Sequence, residues 1–256
     1  MTTNHRTFSL STVLVLAFFL TVADICVAAG ASAGIDYSTL RLTEEEIEHD
    51  FYTASSHPDV KRLLLASRDK WRTLIAMNPE DAAGGPSAEE LAAIDFYKGN
   101  EGYSDMNRLL RGQQTELFSD DLLHAAIRLT ASGLNKFPSA HIHEGIVYRG
   151  VQLPPHILDA YTVGAVVEEH AFTSTSVSST GADRFAFGAE PPRRSAMFTI
   201  HSTNGSLIAM YLQCGDTAPG IDVFEAEVLF VPGTRFRVTD RSEDEYGYVN
   251  IEMVQK

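Results

Sequence analysis

The chain has 256 residues, 44% of them apolar and 21% charged, which are the proportions of a folded globular protein and exclude wholesale disorder. Its formal net charge of −14 excludes a general nucleic-acid binder, because neutralising a phosphate backbone takes an excess of lysine and arginine. That balance still leaves room for a local basic pocket that takes one phosphate-bearing small molecule.

At the start of the chain, Arg6 precedes an apolar run from Val13 to Ala23, followed by the small residues Val27 to Ala33. This order predicts a secretory signal peptide over residues 1–29, cleaved after Ala29 or, as the alternative, after Ala33. The run is too short to cross a bilayer comfortably, and Asp24 beside it opposes a retained anchor. The expected mature product is a secreted, monomeric single domain, residues 30–256, that leaves the membrane once the signal is removed. Cys26 goes with the leader, so the remaining Cys214 has no internal disulfide partner.

The segment from about 36 to 140 reads as helices with clear starts. Thr43 to Glu46 forms a capping box, and Pro58 opens a helix through Met77 that Asn78-Pro79 stops. Glu80 to Pro86 reads as a loop, and Ser87 to Glu90 as a second capping box. Ser104 and Ser119 are expected to cap two further helices, with Gly133 a point of interruption near the end of the second. From about 146 to 256 the texture changes to short β-branched and aromatic runs separated by Gly, Pro, Asn and Asp. Helices first and strands afterwards predict an α+β domain.

Three patterns in the second half carry chemistry. Tyr148-Arg149-Gly150 ends an apolar run, where an arginine fork suits a phosphate and a glycine lets backbone approach a ligand. Phe172 to Ser176 alternates hydroxyls, which on a strand can fix the rotamer of a neighbouring carboxylate. Glu225 and Glu227 stand two apart at the mouth of an apolar run, so on a strand they share one face about 6–7 Å apart. Two such carboxylates can divide labour at a sugar carbon, one at the ring and one at the incoming nucleophile. Taken singly, these patterns equally describe a surface arginine, a polar edge strand and two solvated acids. His141-Ile-His143-Glu144 invites a zinc reading but lacks a distant third ligand, so a solvated loop and no metal are expected. The chain has no Gly-Lys-Ser/Thr phosphate loop.

In this order, Arg149, Ser174 and the Glu225-x-Glu227 pair resemble the R-S-E class of arginine-specific mono-ADP-ribosyltransferases. Ala93 to Tyr97 and Gly102 to Gly112 resemble the tyrosine-containing helices and the Asn-x-x-Leu-Arg element of the bacterial exotoxin branch. The likeness covers about residues 90–256, and the absence of a cysteine pair separates the chain from the disulfide-bonded animal enzymes. It implies two roughly perpendicular, antiparallel-rich sheets forming a cleft for NAD, with helices at the N-terminal side.

The resemblance also implies roles. NAD is the substrate donor, Arg149 and Arg111 contact its phosphates, and Gly150 offers backbone to the nicotinamide amide. Tyr97, Tyr103 and Asn107 line the site, and Phe185 or Phe187 covers the nicotinamide. Ser174 orients Glu227, which stabilises the oxocarbenium-like charge as the glycosidic bond breaks. Glu225 positions the acceptor guanidinium and helps remove its proton. Phe224 touches the protein substrate, an unidentified protein with an accessible arginine. The expected activity is thus toxin-like transfer of ADP-ribose to arginine, with slow NAD hydrolysis alongside. The alternatives are an NAD glycohydrolase using water and a non-catalytic exported NAD-binding module.

Overall fold

A computed structural model describes residues 35–208 and 226–256. The N-terminal part is helical: α1 (Glu44–Ala54), α2 (Pro58–Met77), α3 (Pro79–Ala82), α4 (Ala88–Lys98), α5 (Asn100–Leu110) and α6 (Asp120–Leu134). Both capping boxes form, with Thr43 accepting from the Glu46 N–H and Ser87 from the Glu90 N–H, each glutamate reaching back to the cap backbone. Ser119 caps α6 by accepting from the Leu122 N–H.

The structure departs from expectation at three helical points. The Glu80–Pro86 loop begins as the short helix α3, because Pro79 sits at a first helical position where it has no N–H to lose. Ser104 does not cap a helix: α5 starts at Asn100, two residues after α4 ends at Lys98, with Gly99 as its N-cap. Gly102 permits that start, since a Cβ there would lie 2.3 Å from the Phe96 carbonyl oxygen. Gly133 does not interrupt α6 but lets it approach α4, where a Cβ would meet Glu90 Cβ at 3.1 Å. Glu90, fully buried, holds this junction by accepting from Ser132 Oγ at 2.5 Å and Lys136 Nζ at 2.7 Å.

Among the described residues the second part carries seven strands: β1 (Ile142–Leu153), β2 (Val166–Glu169), β3 (Thr173–Ser176), β4 (Arg194–Leu207), β5 (Glu227–Phe230), β6 (Thr234–Glu243) and β7 (Val249–Gln255). Two helices not anticipated among them are α7 (Pro155–Leu158) and α8 (Ser179–Ala186). Among the described residues the strand order is β1-β3-β5-β4-β7-β6-β2, with β1 also paired to β4, and only β4–β7 is parallel. The α+β fold is therefore as expected. Strands expected in two sheets are hydrogen-bonded into one network, because the 12-residue β1 and 14-residue β4 pair with each other and still reach β3 and β5.

Two apolar cores result. One joins the helices and includes Leu64, Trp71, Leu91, Ile94 and Leu123; the other lies in the sheet around Val147, Phe198, Phe236 and Met253. Strand β5 serves both: Leu229 belongs to the helical core, while Val228 and Phe230 belong to the sheet core. Alternation along the strand makes this unavoidable. It also sets Glu227 on the same face as Leu229, towards the helices.

Candidate active site

Arg149, Ser174 and Glu227 come from three neighbouring strands, β1, β3 and β5, far apart in sequence and adjacent in the sheet. On β3 the side chains alternate. Thr173 and Thr175 are buried, and Thr175 Oγ1 donates to the Val228 carbonyl oxygen at 2.7 Å. Ser174 faces the other way and its hydroxyl donates to Glu227 Oε1 at 2.5 Å. The register explains the contact: Ser174 is opposite Leu229, so Glu227 is its diagonal neighbour on the same face. Arg149 is 9% exposed and donates one Nη1–H to the Ser174 carbonyl oxygen at 3.1 Å. One serine thus receives an arginine on its backbone and offers its hydroxyl to a carboxylate.

Helix α5 supplies the facing wall. Tyr103, Asn107 and the C-cap Arg111 recur every four residues and so share one helical face. Asn107 is 1% exposed and both ends of its amide are engaged: Nδ2 donates to Tyr97 Oη at 3.3 Å, and Oδ1 accepts from the Phe172 N–H at 3.1 Å. It therefore fastens α5 to α4 and to the segment leading into β3. Tyr97 is buried, with its ring 4.8 Å from that of Phe172 and 5.6 Å from that of Tyr103. It lies beneath the site and packs rather than lining an open surface.

The charges are felt across this group. Burial holds the Tyr97 hydroxyl well above the usual tyrosine range, with Tyr103 and Glu227 adding to the shift and Arg149 opposing it. Tyr103 is raised by burial too, against the pull of Arg149 and Arg111. Both tyrosine hydroxyls stay neutral at neutral pH, set among two guanidinium groups and one carboxylate.

Gly150 is buried in β1 opposite Met197. A Cβ on it would lie 2.0 Å from the Ala182 carbonyl oxygen, so this glycine is what lets α8 lie on β1. Phe185 and Phe187 are at the C-terminal end of that helix. Phe185 is half-buried with the Arg184 guanidinium 5.1 Å from its ring centroid, whereas Phe187 is 66% exposed. Glu225, Phe224 and Cys214 lie outside the described residues.

The histidine pair is not a loop: His141 ends a 3-10 turn, Ser139–His141, and His143 and Glu144 are in β1, whose register shifts between His143 and Gly145. Among the described residues no group of three or more His, Cys, Asp or Glu is arranged to hold a metal. His170 is exposed, 3.7 Å from Glu168.

Sequence reasoning missed Asp105. It is 1% exposed, and its carboxylate accepts from the backbone N–H groups of Glu116, Leu117 and Phe118 at 2.7–3.2 Å. That pins the connection from Arg111 to α6. In the sequence Ser104-Asp105 has the look of a helix start, and nothing local points to partners eleven to thirteen residues on.

Comparison with known proteins gives a consistent picture. The family described as ADP-ribosyltransferase exoenzyme matches residues 65–255. A Mycobacterium avium protein, Mav, is 34% identical over 173 residues, covering 66% of this chain and 18% of that protein. The NAD(+)–protein-arginine ADP-ribosyltransferase Tre1 of Serratia proteamaculans is 33% identical over 155 residues, covering 60% of this chain and 29% of Tre1. The chain thus spans less than a third of the length of either relative. Among solved structures, the ADP-ribosyltransferase Vis of Vibrio splendidus in complex with agmatine is 26% identical with a TM-score of 0.53, covering 87% of this chain and 90% of that one.

Proposed function

The chain belongs to the ADP-ribosyltransferase exoenzyme family, and from that premise we propose that it moves ADP-ribose from NAD to an arginine of a target protein. The observation that carries this reading is the hydrogen bond from Ser174 Oγ to Glu227 Oε1 at 2.5 Å, beside the Arg149 bond to the same serine. It holds one carboxylate in a fixed rotamer next to a buried guanidinium, which suits a ribosyl cation flanked by phosphates. Support for a guanidinium acceptor comes from the activity in the name of Tre1 and from the capture of agmatine by Vis.

The donor set fits NAD. Arg149 keeps four of its five N–H donors beyond the Ser174 bond, and Arg111 stands at the end of the Tyr103–Asn107 face. In the reaction the bond between the ribose C1′ and the nicotinamide nitrogen breaks, and nicotinamide leaves neutral with the electron pair. No acid is needed for that departure. Glu227 stabilises the positive charge growing on the ribose, and its lock by Ser174 means it need not reorganise as that charge appears. A guanidinium nitrogen then bonds to C1′ and gives up one proton, which Glu225 is proposed to accept. Phe185 is proposed to cover the nicotinamide and Phe224 to meet the target protein. Asn107, Tyr97 and Gly150 act through packing, by holding Tyr103, β3 and α8 in place.

Export through the leader at residues 1–29, a single mature domain and a monomeric state complete the reading; N-terminal sequencing of secreted protein and light scattering check these. No helix among the described residues is long and apolar enough to cross a membrane. Roles of the two glutamates separate in one experiment. Nicotinamide release and ADP-ribosyl-agmatine formation are followed for the unmutated chain and Glu225→Ala. Loss of agmatine transfer with retained slow NAD hydrolysis is expected; normal transfer by Glu225→Ala removes that residue from the acceptor role. Rapid NAD hydrolysis that agmatine does not divert identifies a glycohydrolase instead.

A further inference from the structure

Away from the Arg149–Ser174–Glu227 group, a cavity of about 500 Å³ opens where the turn at residues 37–39, the end of α6, β5 and the ends of β6 and β7 meet. Its volume is within the range of small-molecule sites. Leu134, Ile142 and Leu229 give it an apolar wall, and Arg41, Arg235 and Lys256 supply three cationic side chains. No aspartate or glutamate is among the described residues lining it. In a chain with 34 acidic against 20 basic residues, that is the reverse of the average surface.

The cations have not been neutralised internally. Among the described residues, none of the three is within 4.0 Å of a carboxylate. Arg41 donates one Nη2–H to the Asn135 carbonyl oxygen at 2.5 Å, which braces the guanidinium and leaves its other donors. Arg235 and Lys256 are brought side by side because the Lys256 N–H donates to the Arg235 carbonyl oxygen at 2.9 Å. Another cavity, about 470 Å³ between α1, α2 and α4, behaves differently. Its cations are consumed: Arg72 pairs with Glu89 at 2.5 Å and Lys136 with Glu90 at 2.7 Å. Self-pairing closes one cavity to ions, and its absence leaves the other seeking an anion.

We propose that the Arg41–Arg235–Lys256 cavity is a second ligand site that binds a small organic phosphate. Two planar guanidinium forks and an ammonium favour a multiply charged oxyanion over a single carboxylate, and the apolar wall favours an ester over the free ion. The site is separate from the catalytic cleft, though β5 carries Glu227 at one end and lines the cavity with Leu229 and Phe230 at the other.

Titration calorimetry on the intact chain tests this with phenyl phosphate as probe, beside inorganic phosphate at equal ionic strength. One site is expected, preferring phenyl phosphate, unaffected by Arg149→Ala and weakened at least about tenfold by Arg235→Gln with Lys256→Gln. These residues are exposed, so the variants are expected to fold, which circular dichroism checks. Equal affinity for inorganic phosphate retains an anion site but overturns the organic ligand. Binding that survives the double variant and vanishes in Arg149→Ala places the anion in the catalytic cleft and overturns the proposal. So does absence of binding, or stronger capture of a tri-glutamate peptide, which would make the occupant an acidic protein segment.

Discussion

At the residue scale, Ser174 is proposed as a positioning group, and its loss has a distinct expected signature. Ser174→Ala frees the Glu227 carboxylate without removing any charge, so kcat is expected to fall about 10–100-fold while KM for NAD changes little. A matching rise in KM with unchanged kcat, read from steady-state nicotinamide release, would mean that the serine serves binding instead. Asn107→Ala leaves the Phe172 N–H without its acceptor in a buried setting and is expected to cost about 1–3 kcal/mol in urea unfolding. An unchanged midpoint would contradict the bridge between α5 and β3. The strand positions of Arg149, Ser174 and Glu227 were legible as short strand patterns, but grouping the three rested on the family resemblance, because alternation fixes which side chains share a face within one strand and not which strands are neighbours. Asp105 was not, since the N–H groups it accepts from belong to a connection whose path is set by tertiary packing.

At the element scale, helices were read well where they begin with a chemical marker. Thr43, Ser87 and Ser119 each close a cap in the structure, because a hydroxyl ahead of the first turn meets a donor that has no other partner. Ser104 misled for the same reason: the residue type suits a cap, yet α5 was already under way from Gly99. What set that start was the close passage of Gly102 over Phe96, a contact between helices that no local pattern encodes. Helix α8 was missed because it is short and lies in a stretch of strands, and its place depends on Gly150. Gly150→Ala is expected to push α8 off β1 and cost at least about 1–3 kcal/mol by thermal unfolding. Wild-type stability in that variant would show that α8 does not approach β1 as closely as described.

For the whole molecule, the change of texture near residue 146 marked the boundary between helical and β-rich halves, and two cores occupy those halves. The joining of the strands through β1 and β4 could not be read from the sequence, because run length does not reveal which partners a strand has along its two edges. Buried tyrosines from both cores give the molecule an alkaline limit. Burial raises Tyr97 in the helical core and Tyr161 in the sheet core well above the ordinary value of 10.0. Unfolding would let them lose protons that the folded chain retains, so their contribution is fully present below pH about 10 and falls as pH rises above it. Urea midpoints measured from neutral to alkaline pH are expected to drop past that point, and to drop less steeply in Tyr97→Phe. Equal slopes for both proteins would show that Tyr97 ionises alike in the folded and unfolded chains.

The proposed function rests on Glu227, which Ser174 holds by a hydrogen bond, as the group proposed to stabilise ADP-ribosyl transfer to a guanidinium. The rate of labelled ADP-ribosyl-agmatine formation from NAD, compared between residues 30–256 and the same protein carrying Glu227→Gln, tests that directly. Glutamine keeps the shape and a hydrogen-bond acceptor but removes the charge, so transfer is expected from the unmutated chain and a loss of about 100-fold or more in the variant. Equal rates in the two proteins, or no labelled agmatine from either, would contradict it.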